Sequence, residues 1–221
     1  MIIDPAALKP RERNALVNGL VSPRPIAWVS TLGPDGSRNL APFSFFNVFS
    51  VDPPTIGLGP GSRDGVGKDS LRNIRASGEF VVNLVDRALA ETANASSGEW
   101  GPEVDEWALL DVTAVESELV AAPRVAQSPA ALECRVMQIL ELGSARNASN
   151  SLIVAWILRV HLRDEDMLNG PHPDPAKLDL VARMGADDWC TTRDRFKLPR
   201  PQSTDPHVVI AELHEQLAQR S

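Results

Sequence analysis

The chain has 221 residues, 43% hydrophobic and 23% charged, a size and balance that suit one globular domain with a real core and exclude a disordered or fibrous polypeptide. Its 22 Lys and Arg against 29 Asp and Glu give a net charge of −7, so the surface as a whole repels phosphate backbones, which argues against a generic DNA or RNA binder. No apolar run reaches the roughly 18 residues that span a bilayer, and Met1 to Lys9 lacks a basic stretch followed by an apolar core; no membrane partner is expected, and the expected compartment is the cytoplasm.

Eighteen Pro and 14 Gly are scattered along the chain, which predicts many short strands joined by tight connections. Ile26 to Thr31 alternates as a half-buried strand, and Gly33-Pro34-Asp35-Gly36 supplies a reversal before Asn39, so a β-hairpin is predicted. Its second arm, Asn39 to Ser50, holds Pro42 and a crowd of phenylalanines, which suits a bent or edge segment better than a central strand. Thr55 to Leu58 reads as a short strand. Lys68 to Ala76 reads as a short helix, with Asp69 placed to cap its start and Gly78 to end it. Glu79 to Val85 is strand-like, and Arg87 to Ala95 reads as another helix. Ala130 to Leu142 and Ser151 to Leu162 are long apolar runs around Ser144 to Asn150, a second hairpin. Asp174 to Met184, with Pro175 in its first turn and Gly185 after it, reads as a third helix, and Val208 to Leu217 as a terminal helix. No composition shift divides the chain, so residues 1–221 are read as one domain, with a core of about 20–201 and a helical tail over 202–221.

Familiar catalytic devices are missing: the sequence holds no GxGxxG after a strand, no GxxxxGK[ST], no HExxH and no GxSxG. Cys134 and Cys190 lie far apart without a CxxC, and His161, His172, His207 and His214 share no ligand spacing, so neither a disulfide framework nor a metal site is expected. What remains is a phosphate-and-ring constellation. Arg24, the pair Ser30 and Thr31, Ser44, and the cluster Lys68, Asp69 and Ser70 offer cations, hydroxyl donors and the N–H groups of a helix start, a set suited to a phosphate dianion. Asn39, Phe43, Phe45, Phe46 and Asn47 offer flat apolar walls with amide groups for the edge of a planar heterocycle. The plainer alternative is that these phenylalanines are core and these hydroxyls ordinary strand residues.

The runs RPIAWVST, PDGSRNLAPFSFFNVFSVDPP, GKDSLRNIRASGEFVVNLV and ALECRV, in that order, resemble the flavin reductase-like family of FMN-binding split β-barrel proteins, the group that includes flavoredoxin. The likeness runs from about Pro23 to Pro201, where Arg183-Met184-Gly185 and Phe196 to Pro201 fit the family's C-terminal region. It implies a mainly β fold, a six-stranded antiparallel Greek-key barrel with accessory α-helices, and a homodimer with one FMN per subunit. Carried over, Ser30, Thr31, Lys68 and Ser70 would hold the phosphate and Asn39 to Asn47, Ala41 included, would line the ring. Arg24 would serve either end, and Asn73 would assist by hydrogen bonding. Where the family often has a Tyr after Gly185, this chain has Ala186-Asp187-Asp188-Trp189, and Trp189 is the aromatic residue at hand.

The resemblance implies an NAD(P)H-dependent flavin reductase with FMN, or FAD, as flavin, supplying a partner monooxygenase or passing electrons to an acceptor protein. A flavin carries its own redox chemistry, so the absence of acid–base signatures is no obstacle. Two other classes stay open: an FMN-binding electron carrier reduced by a protein partner, and a barrel used only as a binding module.

Overall fold

A computed structural model describes residues 1–63, 66–98, 100–101, 104–142 and 150–218. The alternation at the start of the first motif produces β1 (Ala27–Leu32), and the reversal after it returns the chain as β2 (Arg38–Phe43). Gly33 N–H donates to Ser37 O at 2.7 Å across this turn, and Gly36 occupies φ 82°, a conformation that costs a residue without Cβ little. The chain bends at Ser44-Phe45 into β3 (Phe46–Val51) and folds back as β4 (Pro54–Leu58). After helix α2 (Asp69–Ser77) come β5 (Glu79–Leu84) and the long hairpin β6 (Ala130–Leu142) and β7 (Asn150–Leu162). The predicted connection of that hairpin, apart from Asn150, lies outside the described residues.

These strands form one antiparallel sheet in the order β2-β1-β5-β6-β7-β4-β3. The sheet has seven strands where the resemblance implies six. Its two edges, β2 and β3, are consecutive in the chain and joined by two residues, so the sheet curls until its edges meet at Ser44-Phe45 without pairing there. This seam splits the barrel, and it places Pro42, which has no N–H to give a ladder, on an edge strand.

Two cores result from the two faces. Inside the barrel Ala27, Val29, Phe43, Ile56, Phe80, Val82 and Ile153 pack together, and α2 (Asp69–Ser77) covers them. Leu71 and Ile74, one turn apart on α2, are buried in that cluster, each worth about 1.5–3 kcal/mol of apolar burial. Gly78, in the left-handed region at φ 73°, ends the helix by donating its N–H to Ile74 O at 2.9 Å. On the outer face Trp28, Leu40, Val85, Trp107 and Val125 pack under α3 (Ala90–Ala95), α4 (Glu106–Leu109) and the segment that follows, with Trp28 Nε1 donating to Ser96 Oγ at 2.8 Å.

Two elements differ from expectation. Residues 10–20 form α1 (Pro10–Leu20), which has no buried residue and so presents no apolar stripe to read. The helix expected over Asp174 to Met184 stops after one turn, as α5 (Pro175–Leu178). Asp179 then turns to φ 41° and the chain continues as β8 (Val181–Arg183), which pairs with Arg24–Pro25 on one side and β9 (Trp189–Thr191) on the other. The tail helix, α6, spans Pro206–Ala218. Among the described residues no helix is long and apolar enough to cross a membrane, and no group of three metal-ligating side chains occurs.

Candidate functional site

The start of α2 lies beside the barrel seam. Lys68 precedes the helix in an extended conformation, and among the described residues no side-chain hydrogen bond caps the start, so the helix start offers N–H donors and the positive end of its dipole. Lys68 Nζ stands 4.9 Å from the centroid of the Phe43 ring. Asn39 Nδ2 donates to Ser70 Oγ at 2.8 Å, tying β2 to the helix start. Asp69, the first residue of the helix, is paired with Arg72 at 2.7 Å, which offsets its repulsion of any anion placed there.

Beside Phe43 a cavity of about 550 Å³ opens, walled by Pro42, Phe43 and Ser44 from the seam, α1, and the β8–β9 hairpin. Arg24 stands in its wall. Its Nη1 donates to Asn18 O at 2.5 Å and Val21 O at 2.8 Å, its Nη2 to Met184 O at 2.9 Å, and its Nε reaches Ser44 Oγ at 3.4 Å. Burial, and then the charge of Arg183, lowers its pKa from the usual arginine value. Arg183 lies over the Trp189 ring, its guanidinium carbon 5.4 Å from the centroid, and donates to Ala186 O at 2.7 Å. Gly185, in the turn between them, passes so close to α1 that a Cβ would meet Gly19 Cα at 3.1 Å.

The expected site residues separate into two groups. Lys68, Ser70, Asn39, Phe43 and Ser44 gather at the seam, Ala41 packs beside them against the interior core, and Asp69 sits at the helix start. Ser30 does not join them. It lies on the outer face, fully buried, where its hydroxyl donates to Pro123 O at 2.5 Å and accepts from Asn83 Nδ2 at 3.2 Å. A residue one position along a strand faces the opposite way, and Thr31 accordingly faces α2. There Thr31 is fully buried and accepts from Asn73 Nδ2 at 3.1 Å, so the pair anchors the helix to β1 and offers no exposed hydroxyl. The Asn73 Oδ1 is buried and has no hydrogen-bond partner among the described residues. Arg24 has its donors committed to three carbonyls, which makes it a brace for the cavity wall. Phe46 packs on the interior core, while Phe45 is half exposed and Asn47 is exposed, its Oδ1 accepting from Val48 N–H. Sequence reading missed Arg11 and Asn94 in the cavity wall, because only the packing of α1 and α3 against β8–β9 brings them there. Trp189 was visible as an aromatic substitute and does line the cavity.

The sequence pattern of the family described as "Flavin reductase like domain" matches residues 20–172. The chain belongs to that family. An uncharacterized protein of Deinococcus radiodurans is 41% identical over 205 residues, covering 89% of this chain and 88% of that one. Among solved structures, nitrilotriacetate monooxygenase component B from Bacillus cereus superposes with a TM-score of 0.85 at 26% identity, covering 90% of this chain and 98% of that chain. The 2-nitrobenzoate 2-nitroreductase NbaA of Pseudomonas fluorescens superposes with a TM-score of 0.78 at 29% identity, covering 91% and 97%. The flavin reductase-like domain thus accounts for the barrel, its seam and α2.

The residues present fit a flavin mononucleotide on two observations. The uncapped helix start beside Lys68 is a donor set for a phosphate, and the cavity walled by Phe43 has the size and flat apolar side that a ring system needs.

Proposed function

We propose that this protein binds FMN at the barrel seam and acts as an NAD(P)H-dependent flavin reductase. The observation that carries the reading is Phe43, one ring that both lies under the Lys68 ammonium and walls the cavity, so that a phosphate site and a ring site adjoin. Lys68 and the first-turn N–H groups of α2 hold the phosphate; Phe43 and Ser44 flank the ring; Arg24 braces the wall by gathering α1, β8 and Ser44. A bound FMN would supply the redox chemistry, as acceptor of a hydride from a reduced nicotinamide. The side chains have no proton to move in that transfer. Their task is to hold two rings about 3–3.5 Å apart.

The resemblance of the fold to a monooxygenase component supports delivery of reduced flavin to a partner oxygenase. Val48, Phe49 and Val51 stand exposed on β3, the edge strand at the seam, and Trp156 on β7, two strands away; an exposed apolar surface near the seam supports a homodimer that closes the cleft. The test is anaerobic mixing of FMN-loaded protein with NADH and with NADPH, followed by the visible flavin absorbance. Bleaching by either nucleotide is expected. A bound flavin that neither nucleotide bleaches would favour the electron carrier instead, and a protein that binds no FMN would refute both.

A further inference from the structure

Residues 4–20 form an arm that is tied together within itself. Arg13 on α1 fastens the turn that precedes the helix, its Nε donating to Pro5 O at 2.7 Å and its Nη2 to Leu8 O at 2.9 Å, and Glu12 accepts from Lys9 N–H at 3.0 Å. Among the described residues, the hydrogen bonds that reach this arm from beyond the connection Val21 to Pro23 come from Arg24 alone, which donates to Asn18 O at 2.5 Å and, at the connection itself, to Val21 O at 2.8 Å. Arg24 stands on the fixed side, paired in register with Arg183 of β8.

The face that α1 turns to the cavity is the opposite of a packing face. Arg11, Asn14, Ala15 and Asn18 line the cavity, and spacings of three, four and seven residues put them on one side of the helix. A surface helix normally holds its place by burying an apolar stripe. Here Leu16, Val17 and Leu20 lie outside the cavity-lining set, and no residue of α1 is buried. A helix of 11 residues is marginal in water on its own. What keeps it down is gathered at its C-terminal end: the Arg24 bonds, and the approach of Gly185 to Gly19, where a Cβ on Gly185 would come within 3.1 Å of Gly19 Cα. An element fixed at one end, with few buried contacts and a polar side on a cavity, is free to swing. The family pattern begins at residue 20, so the arm lies outside the matched region.

Resting on the reading of this cavity as the flavin ring site, we propose that α1 is a lid over it, hinged at Val21 to Pro23 and latched by Arg24 and the Gly19–Gly185 contact. Closed, the lid shuts water out of the cavity and retains the flavin; open, it lets the flavin leave, as delivery to a partner enzyme requires. The population of the open state sets the rate of flavin release.

The test is hydrogen–deuterium exchange of the full chain with and without saturating FMN, whose uptake is followed separately by visible absorbance. Without FMN, the amides of α1 are expected to exchange at least about 100-fold faster than those of β1. With FMN they are expected to slow at least about tenfold, while the tail helix α6, which takes no part in the cavity wall, stays unchanged. Gly185→Val drives a wedge under the latch and is expected to speed FMN release about tenfold, read as flavin fluorescence after dilution, with the urea midpoint unchanged. Amides of α1 as protected as those of β1 in flavin-free protein, the mark of a helix clamped against a second copy, would overturn the proposal. So would bound FMN that leaves α1 exchange unchanged, or a folded Gly185→Val variant that releases FMN at the original rate. If that variant does not fold, the two exchange comparisons on the unaltered protein decide. Protein that takes up no FMN would defeat the flavin reading, and the lid with it, a result distinct from FMN bound under an unresponsive α1.

Discussion

On the outer face of the sheet, Glu133 is fully buried, and its carboxylate accepts from Glu118 N–H at 2.8 Å, from Leu119 N–H at 2.6 Å and from His161 Nε2 at 2.5 Å. Asn83 beside it donates to Trp28 O and Ser30 Oγ and accepts from Val125 N–H. These side chains pin the segment between α4 and β6, which has little regular structure of its own, onto the barrel. Beside the seam, by contrast, the Lys68 ammonium stands over the Phe43 ring, and Arg183 stands over Trp189 in the cavity wall, 3.6 Å from the Asp187 carboxylate. Both regions are polar, and they do opposite things. Where buried polar groups satisfy one another, they stabilise the fold; where charged side chains border a cavity, they can meet a ligand.

The largest expected effect therefore falls on the closed region. Glu133→Ala strands two backbone N–H groups and His161, and should cost about 3–5 kcal/mol in urea unfolding, while FMN affinity per folded molecule stays the same. A cost under about 1 kcal/mol would show that the outer face is not held in this way. Glu133 also gives the comparison a pH signature. Burial alone would raise its pKa, but the hydrogen bonds from Glu118, His161 and Leu119 outweigh burial and hold the carboxyl below the ordinary value. A depressed folded-state pKa contributes stability that is present above the unfolded value, about 4.3, and is lost as pH falls through the folded one. Below about pH 4.3 the gap in stability between the unaltered protein and Glu133→Gln should narrow; a gap that widens on acidification would reverse the sign of the argument.

Next in size is Lys68→Ala, in the open region. Removing a charged phosphate contact worth about 1.5–3 kcal/mol should weaken FMN roughly 10- to 100-fold and leave riboflavin, which lacks the phosphate, almost unaffected. An equal loss for both ligands would place Lys68 at the ring. The smallest effect is the most discriminating between the two faces: Ser30→Ala should cost about 1 kcal/mol of stability and leave FMN affinity untouched. A variant with weaker FMN binding and unchanged stability would return Ser30 to the phosphate site.

Much of this was legible in the sequence where local chemistry settles structure. The long hairpin strand Ala130–Leu142 was bounded to the residue, and α2 carried its stop signal at Gly78, because alternation and a left-handed terminal residue are properties of a few neighbouring positions. Helix α1 escaped because it buries nothing, and Val181–Arg183 looked helical because its strand partners, Arg24–Pro25, lie far away in the chain. The site followed the same division. Lys68, Ser70, Asn39 and Phe43 come from two motifs that the α2 contact brings together. Ser30 and Thr31 are adjacent in sequence but on opposite faces, and that distinction appears only once Pro123 and Asn73 are in place against them. The cavity beside Trp189 needs α1, α3 and β8–β9 assembled, so no single stretch of sequence announces it.

The central claim is most directly tested by a crystal structure of the protein grown with FMN. The account predicts phosphate oxygens within hydrogen-bonding distance of Lys68 Nζ and the first-turn N–H groups of α2, with the ring beside Phe43 and Ser44. A flavin bound elsewhere, or a seam filled by packed side chains in the presence of saturating FMN, would contradict it.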